Sequence, residues 1–493
     1  MNFFLAILGL RKQIAFYLEK KIGAPSEQII IITTMSSVIP FSLLNYYIKN
    51  RTARLYYSLI VGFIIHYSIY GMNSLHTIFG TICSYFYTYF FGRKFSPFYL
   101  LIGSLAHLSF LNIRRMIEDF GGWNIDDIST LYMVAIAKFS SVCFSYSDGN
   151  KDPKDIKNDH IRSTMIIEMP SLLEYASYVF FYPTTLIGPF IEYKDFINFI
   201  DQKDCYINLQ QKLGYICKQG AKTFSIAILF ILIFTFFGDK FPMDAVGTSE
   251  FRKKYPIWWM RFLYMFACGP IGRSKYYIGW SLTYSSLIFS GMAYGEEINK
   301  EGKIIPNVDK GSYGSILFIE FGMNPIYKMV YWNNSIHIWL KYNVYIRALM
   351  SSGILKNNRL MANFITYAVS AVWHGFYISY YISFFAIFLF EQGALFLNEI
   401  GFYNYINEHK FLWPFISLKT AFFINSIGSI FYCLQISTTK EILINFYGLP
   451  FSAIICFYLI TMYFRPYLNK KKKKKEENKI KEEGEKIINK KNE

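Results

Sequence analysis

The chain has 493 residues, of which 53% are hydrophobic, 20% aromatic and 17% charged, with a formal net charge of +17. Soluble domains average about 25% charged residues, so this composition argues against an ordinary soluble protein. The basic residues lie between apolar runs and in the C-terminal tail, which leaves no soluble domain for binding nucleic acid. The 7 cysteines are dispersed without a CxxC spacing, so we expect neither a disulfide framework nor a metal site.

The predicted elements begin with segment 1–27, whose short apolar stretch followed by charges is typical of an interfacial helix. Candidate membrane spans follow at 28–47, 54–70, 74–91, 98–111, 128–146, 171–190, 223–237, 258–268, 276–294, 363–397 (two helices), 420–436 and 443–463. Several are shorter than the ~20 residues of a full span, which indicates tilted, broken or re-entrant helices inside a bundle. Domain 28–468 is therefore predicted to be all-α and polytopic, with roughly eleven transmembrane helices.

The tail, 469–493, holds a run of consecutive lysines followed by mixed lysine and glutamate. Lysine next to a last span favours the cytosolic side of the membrane. Lys490 and Lys491 lie where a dilysine retrieval signal for the endoplasmic reticulum is found, although so lysine-rich a tail produces this pair by chance about one time in five. We expect an integral protein of the endoplasmic reticulum membrane with a cytosolic C-terminus.

His374 is the most informative of the 7 histidines, because it lies centrally in an apolar run without a charged residue for a turn on either side. An ionisable side chain at that depth usually faces a cavity or a partner. Histidine titrates near neutral pH, so this position suits a general base. The alternative is a neutral core histidine held by a backbone carbonyl. His66 and His76 lie in similar surroundings without a motif, and we interpret them as structural.

A second polar segment precedes His374. Trp332, Ile336, Trp339 and Asn343 recur at helical spacing, which predicts an interfacial or partly buried helix. Asn333 begins this helix, where free backbone N–H groups could help to bind an anion. An ordinary helix N-cap is the simpler interpretation of Asn333 by itself.

Taken together, the two segments resemble the membrane-bound O-acyltransferase family, which pairs a catalytic histidine in a buried span with an upstream asparagine. The residues that carry the resemblance are Trp332, Asn333, His337 and Trp339 in the asparagine motif, and Trp373, His374, Gly375, Tyr380 and Tyr381 in the histidine motif. The Trp-His-Gly form is similar to the lysophospholipid acyltransferase branch, whereas diacylglycerol and sterol acyltransferases carry His-Glu at that point. The likeness covers nearly the whole chain except the tail.

The resemblance implies the fold of that family, with re-entrant and interfacial helices around a central chamber. It also implies an acyl-CoA-dependent O-acyltransferase that moves a fatty acyl chain to the free hydroxyl of a lysophospholipid. His374 would be the general base and Asn333 a second catalytic residue, while the other seven motif residues would bind substrate. Acyl-CoA would then be a co-substrate, membrane lipids the further partners, and no cofactor would be needed.

The resemblance leaves several features open. Ile378 and Ser379 stand where the branch commonly has Pro and Gly, which leaves the acceptor preference undecided. The alternatives are a neutral-lipid or protein acyltransferase of the same superfamily and a non-enzymatic lipid transporter; no internal repeat supports the last. Arg261, Arg273 and Lys275 could meet the phosphates of acyl-CoA, but positive-inside anchoring explains them as well. Headgroup, acyl chain and oligomeric state are not indicated.

Overall fold

The computed structural model describes residues 26–118 and 128–468, together with positions 13, 16, 17, 19 and 20. The predicted interfacial segment 1–27 lies largely outside the described residues, and the tail 469–493 lies outside them entirely. The interfacial helix, the tail's side of the membrane and the dilysine signal therefore stay predictions.

The described residues are mostly helical with a single short hairpin of strands, which confirms the all-α class. The helices are α1 Ser26–Leu44, α2 Arg51–Tyr70, α3 Ser74–Phe91, α4 Phe98–Glu118, α5 Ser129–Asp148, α6 Asp159–Thr164, α7 Leu172–Val179, α8 Tyr193–Asp201, α9 Leu213–Phe237, α10 Ser249–Lys254, α11 Trp258–Phe289, α12 Ile316–Phe321, α13 Pro325–Tyr331, α14 Asn334–Leu340, α15 Ile346–Met350, α16 Arg359–His374, α17 Ile378–Glu399, α18 Phe402–Glu408, α19 Trp413–Cys433, α20 Ile436–Asn445 and α21 Leu449–Leu468. Strands β1 Gly295–Ile298 and β2 Ile304–Asn307 form one antiparallel hairpin that pairs Gly295 with Asn307.

Within the described residues, 6 stretches are long and apolar enough to cross a membrane. They are Ile29–Tyr47, Arg51–Phe91, Leu209–Phe237, Ile378–Glu399, Lys410–Cys433 and Leu449–Leu468. The 41-residue stretch Arg51–Phe91 is divided into α2 and α3, because Gly71 takes a positive φ and interrupts the helix. A polytopic membrane protein is thereby confirmed, while the total of roughly eleven spans stays a prediction.

Three predicted spans take a different form. The separate spans 258–268 and 276–294 are replaced by the single 32-residue helix α11, which carries Pro270 in its interior. The region 171–190 contains only the 8-residue helix α7, followed by a short 3₁₀ turn and irregular chain. That irregular chain is buried inside the protein, which is where non-helical backbone at membrane depth is tolerated.

Large apolar side chains are exposed on the outer helices, for example Phe79 and Phe86 on α3 and Ile102 on α4. Exposed apolar surface of this extent is rare on soluble monomers. It suits helices whose outer faces are solvated by lipid.

Helix α5 lies at the centre of the bundle, because nearly all of its residues are buried. Its one basic residue, Lys138, is 1% exposed and donates from Nζ to the carbonyls of Tyr178 and Val179, at 3.1 and 2.8 Å. A third bond goes to Thr184 Oγ1 at 2.8 Å. These carbonyls end α7, so the ammonium group caps that helix at the negative end of its dipole.

Candidate active site

An internal chamber of about 1140 Å³ lies between α1, α11, α14, α16, α17 and α19. Most of its lining is apolar, with a small number of polar side chains. Asn333 and His374 both line it, although they are 41 residues apart in the sequence. The tertiary structure thus brings the two predicted catalytic residues to one chamber.

His374 is the last residue of α16, and Gly375 turns the chain into α17 with a φ of +120°. His374 therefore lies at the junction of the two helices predicted for 363–397. The imidazole packs against four aromatic rings, at centroid distances of 4.9 to 5.8 Å: Trp373, Tyr380, Phe384 and Phe431. Within the described residues neither ring nitrogen has a hydrogen-bond partner, so the alternative of a carbonyl-bound histidine is wrong. A ring nitrogen facing the chamber is available to a substrate proton.

Asn333 immediately precedes α14 and takes a left-handed conformation with a φ of +50°, which asparagine tolerates better than most residues. Its side chain makes no capping hydrogen bond to the helix. Instead Oδ1 accepts from Ser335 Oγ at 3.3 Å, and Ser335 Oγ accepts from the backbone N–H of Phe190 at 3.2 Å. The ordinary N-cap interpretation is therefore wrong for the side chain. In the described part of the chain its Nδ2 group has no partner and can donate into the chamber.

Two tryptophans of the motifs hydrogen-bond α14 and α16 to α5. Trp339 Nε1 donates to Ser140 Oγ at 2.9 Å, and Trp373 Nε1 donates to the carbonyl of Met133 at 2.9 Å. The two indole rings lie 5.8 Å apart. The segments that carry Asn333 and His374 are therefore positioned against the same central helix.

The predicted substrate-binding residues divide into two groups. Trp332, His337 and Trp373 line the chamber. Trp339, Gly375, Tyr380 and Tyr381 are not part of its lining. Trp339 is 0% exposed and packs against α5, to which its indole N–H is bonded. For the other residues a role in binding substrate stays a prediction.

One face of α16 contributes polar lining that the motifs do not contain. Asn363, Tyr367 and Ser370 line the chamber on the face that ends at His374. Asn363 Nδ2 donates at 2.8 Å to Oε2 of Glu391, which also lines the chamber from α17. The spacing of three or four residues between these polar side chains was the signal that could have predicted this face.

The basic residues considered for acyl-CoA phosphates have different surroundings. Arg261 is 2% exposed and donates to the carbonyl of Asn445 at 2.6 Å. Arg273 binds both carboxylate oxygens of Glu320, at 2.8 and 2.5 Å. Both guanidinium groups are held inside the protein, so neither is a surface anchor. Lys275 lines the chamber and donates to Tyr432 Oη at 2.8 Å.

The chain is similar in sequence to several known acyltransferases. A lysophospholipid acyltransferase of Saccharomyces cerevisiae is 28% identical over 341 residues, which are 64% of this chain and 52% of that protein. Lysophospholipid acyltransferase 2 of Arabidopsis thaliana is 27% identical over 373 residues, covering 73% of this chain and 75% of that protein. Membrane-bound glycerophospholipid O-acyltransferase 2 of Gallus gallus is 26% identical over 340 residues, covering 66% and 62%.

The match to the yeast protein spans about half of that protein's length, as does the match to lysophospholipid acyltransferase 6 of Drosophila melanogaster, at 52% and 54%. The family model of the membrane-bound O-acyltransferases matches residues 109–434. This region is more than half of the chain and contains both motifs and most of the chamber. The chain therefore belongs to the membrane-bound O-acyltransferase family.

Proposed function

We propose that this protein is a lysophospholipid acyltransferase that uses acyl-CoA as the donor. The observation that carries the proposal is that His374 and Asn333 line the same chamber. The names of the relatives support the same substrate class. A mainly apolar chamber suits two long-chain substrates that must meet within the membrane.

The proposed reaction is a direct acyl transfer. The free hydroxyl oxygen of the lysophospholipid attacks the thioester carbonyl carbon while a ring nitrogen of His374 takes the hydroxyl proton. The tetrahedral intermediate then breaks its carbon–sulfur bond, and the proton passes to the departing thiolate to give free CoA. A positioned base of this kind contributes about 10²–10⁴ in rate.

Asn333 would stabilise the negative charge that develops on the carbonyl oxygen. Its Nδ2 group can donate to that oxygen because Oδ1 is held by Ser335. Removing one such donor costs about 10²–10³ in kcat in enzymes that use an oxyanion hole. The transfer needs no cofactor and no covalent acyl-enzyme. We also propose that the protein lies in the endoplasmic reticulum membrane, with its C-terminal tail on the cytosolic side.

The test incubates the purified protein with a panel of lysophospholipids and acyl-CoAs and follows both thiol release and the diacyl product. We expect thiol release that requires a lysophospholipid. Release that requires diacylglycerol, a sterol or a peptide instead would move the protein to a different acceptor class. Absence of release with every acceptor would overturn the proposal.

Substitution of the two site residues is the first prediction. His374→Ala should lower kcat by about 10²–10⁴ because the base is lost. Asn333→Ala should lower it by about 10²–10³. His409→Ala is the matched control, since His409 lies outside the chamber and bonds the backbone carbonyl of Tyr405. Near-normal turnover by a folded His374→Ala variant would contradict the assignment.

A further inference from the structure

Among the described residues, five lysines and arginines line the chamber, including Arg115 on α4 and Lys275 on α11. Lys275 lies near the middle of the 32 residues of α11. A cationic side chain is costly at such a position in a membrane protein, and it usually faces a cavity or a substrate pathway there. The proposed proton transfer uses neither residue.

Lys275 and His374 contact two neighbouring residues of α19. Lys275 Nζ donates to Tyr432 Oη at 2.8 Å. The neighbouring Phe431 packs against the His374 ring at a centroid distance of 5.2 Å. Lys275 thus reaches the wall of the chamber that also holds the imidazole.

Arg115 lies on α4, a helix that approaches the residue after His374. A Cβ atom added to Gly375, the residue after His374, would lie 3.3 Å from Cγ of Asn112. Arg115 is three residues beyond Asn112 on α4, and this spacing puts both side chains on one face of the helix. Tyr276, the neighbour of Lys275, lies within electrostatic range of Arg115. The helices that carry the two cations therefore both approach the surroundings of the proposed base.

The other three basic side chains of the lining are Arg273, Lys328 and Lys341, and each makes contacts of its own. Arg273 is balanced by Glu320, and Lys328 Nζ donates to the carbonyl of Glu320 at the end of α12, at 3.0 Å. Glu391 accepts from Asn363. Lys341 Nζ lies over the ring of Tyr342, 5.1 Å from its centroid.

We propose, resting on the function proposed above, that Arg115 and Lys275 bind the phosphodiester of the lysophospholipid acceptor. A phosphate oxygen is the acceptor that guanidinium and ammonium groups favour, and charge-assisted hydrogen bonds are about twice as strong as neutral ones. A neutral acceptor offers these cations no anionic partner. The pair therefore gives a physical basis for selecting a lysophospholipid over a neutral glycerolipid.

The acyl donor also carries phosphates. The distance from the reacting atom to the nearest phosphorus differs between the lysophospholipid and acyl-CoA, and this difference decides which phosphate the cations bind. An extended chain advances about 1.2 Å per bond, as the polypeptide backbone shows. Four bonds separate the sn-2 hydroxyl oxygen of a lysophospholipid from phosphorus, which is about 5 Å. Fourteen bonds separate the thioester carbonyl carbon of acyl-CoA from its nearest phosphorus, which is about 17 Å. Cations on helices that approach the surroundings of His374 match the shorter distance.

The test measures KM for lysophosphatidylcholine and for oleoyl-CoA separately in purified Lys275→Met and Arg115→Gln variants. We expect the KM for lysophosphatidylcholine to rise about tenfold in each variant, the loss of one charge-assisted hydrogen bond. The KM for oleoyl-CoA should stay within a factor of two. Lys275→Arg should restore most of the acceptor affinity, because it retains the charge. Arg114→Gln is the matched control on α4, since Arg114 pairs with Glu118 away from the chamber.

Each other outcome overturns the assignment. A rise in the KM for oleoyl-CoA alone would show that the two cations bind the phosphates of acyl-CoA and not those of the acceptor. Equal rises for both substrates, with a lower unfolding temperature, would show a structural role. If Lys275→Met does not fold, the comparison of Arg115→Gln with Arg114→Gln decides. A wild-type protein that is inactive with every lysophospholipid would overturn the proposed function as well, whereas an active one with unchanged variants would overturn only this inference.

Discussion

At the scale of single residues, the site depends on buried hydrogen bonds that hold its walls in place. The indole N–H of Trp339 is fully buried and donates to Ser140 Oγ on α5. Trp339 lies on α14, the helix that Asn333 precedes. A buried donor that loses its acceptor keeps its desolvation penalty, so this bond contributes to both stability and position.

Ser140→Ala should therefore lower the free energy of unfolding by about 1–3 kcal/mol, because the Trp339 N–H would have no acceptor. Denaturant unfolding in detergent micelles measures the change. Ser225→Ala on α9 is the control, since Ser225 is exposed and bonds only the carbonyl of Ala221 in its own helix. Its effect should stay within about 0.5 kcal/mol. Equal effects of the two substitutions would refute the proposed role of Ser140.

At the scale of helices, close approaches at glycine determine how the elements pack. Gly393 on α17 meets the ring of Phe457 on α21, where an added Cβ would lie 2.2 Å from Cε1. Gly428 on α19 has only Met243 Cε nearby, at 3.7 Å from an added Cβ. The first glycine is required by a helix contact, whereas the second is not.

The same substitution at these two glycines should have opposite effects on stability. Gly393→Ala should lower the free energy of unfolding by about 1–3 kcal/mol, because Phe457 must move. Gly428→Ala should raise it by about 0.5–1 kcal/mol, because alanine favours the helix and fits the space. Unfolding curves of the two variants measured side by side check both signs. A stabilising Gly393→Ala would show that α17 and α21 are not in close contact.

At the scale of the whole molecule, α5 connects the parts that build the chamber. Asp148 ends this helix and binds Arg347 of α15 through two hydrogen bonds of 2.9 and 2.5 Å. The pair is buried, with side-chain exposures of 10% for Arg347 and 2% for Asp148. Since α15 follows α14, this ion pair joins the segment of Asn333 to the centre of the bundle a second time.

Arg347→Met should lower the free energy of unfolding by about 3 kcal/mol, since it leaves the buried carboxylate of Asp148 without its main partner. The kcat should fall as well, because the wall that carries Asn333 loses a fixed point. Arg162→Met is the comparison, since its pair with Asp159 is exposed, at 46% and 87%. That change should cost less than about 1 kcal/mol. A loss from Arg347→Met as small as this would show that the buried pair is not important for the fold.

The sequence predicted the membrane class, the helical architecture and the two motif residues. The reason is that a spanning helix must be apolar along its length, so a short stretch of consecutive residues is enough to recognise it. An isolated histidine in such a run is conspicuous for the same reason. The short span at 171–190 and the two halves of α11 were misjudged, because irregular chain and polar helix surface buried by protein follow no local rule.

The sequence by itself determined that this protein lies in a lipid bilayer. It also determined which polar side chains are energetically costly there, above all His374. Only the tertiary structure decided which of those residues share a chamber, because packing between helices distant in sequence sets the lining. It separated Trp339, which faces α5, from Trp332, which faces the chamber. It also brought Arg115 of α4 and Lys275 of α11 into the lining of the chamber that His374 shares.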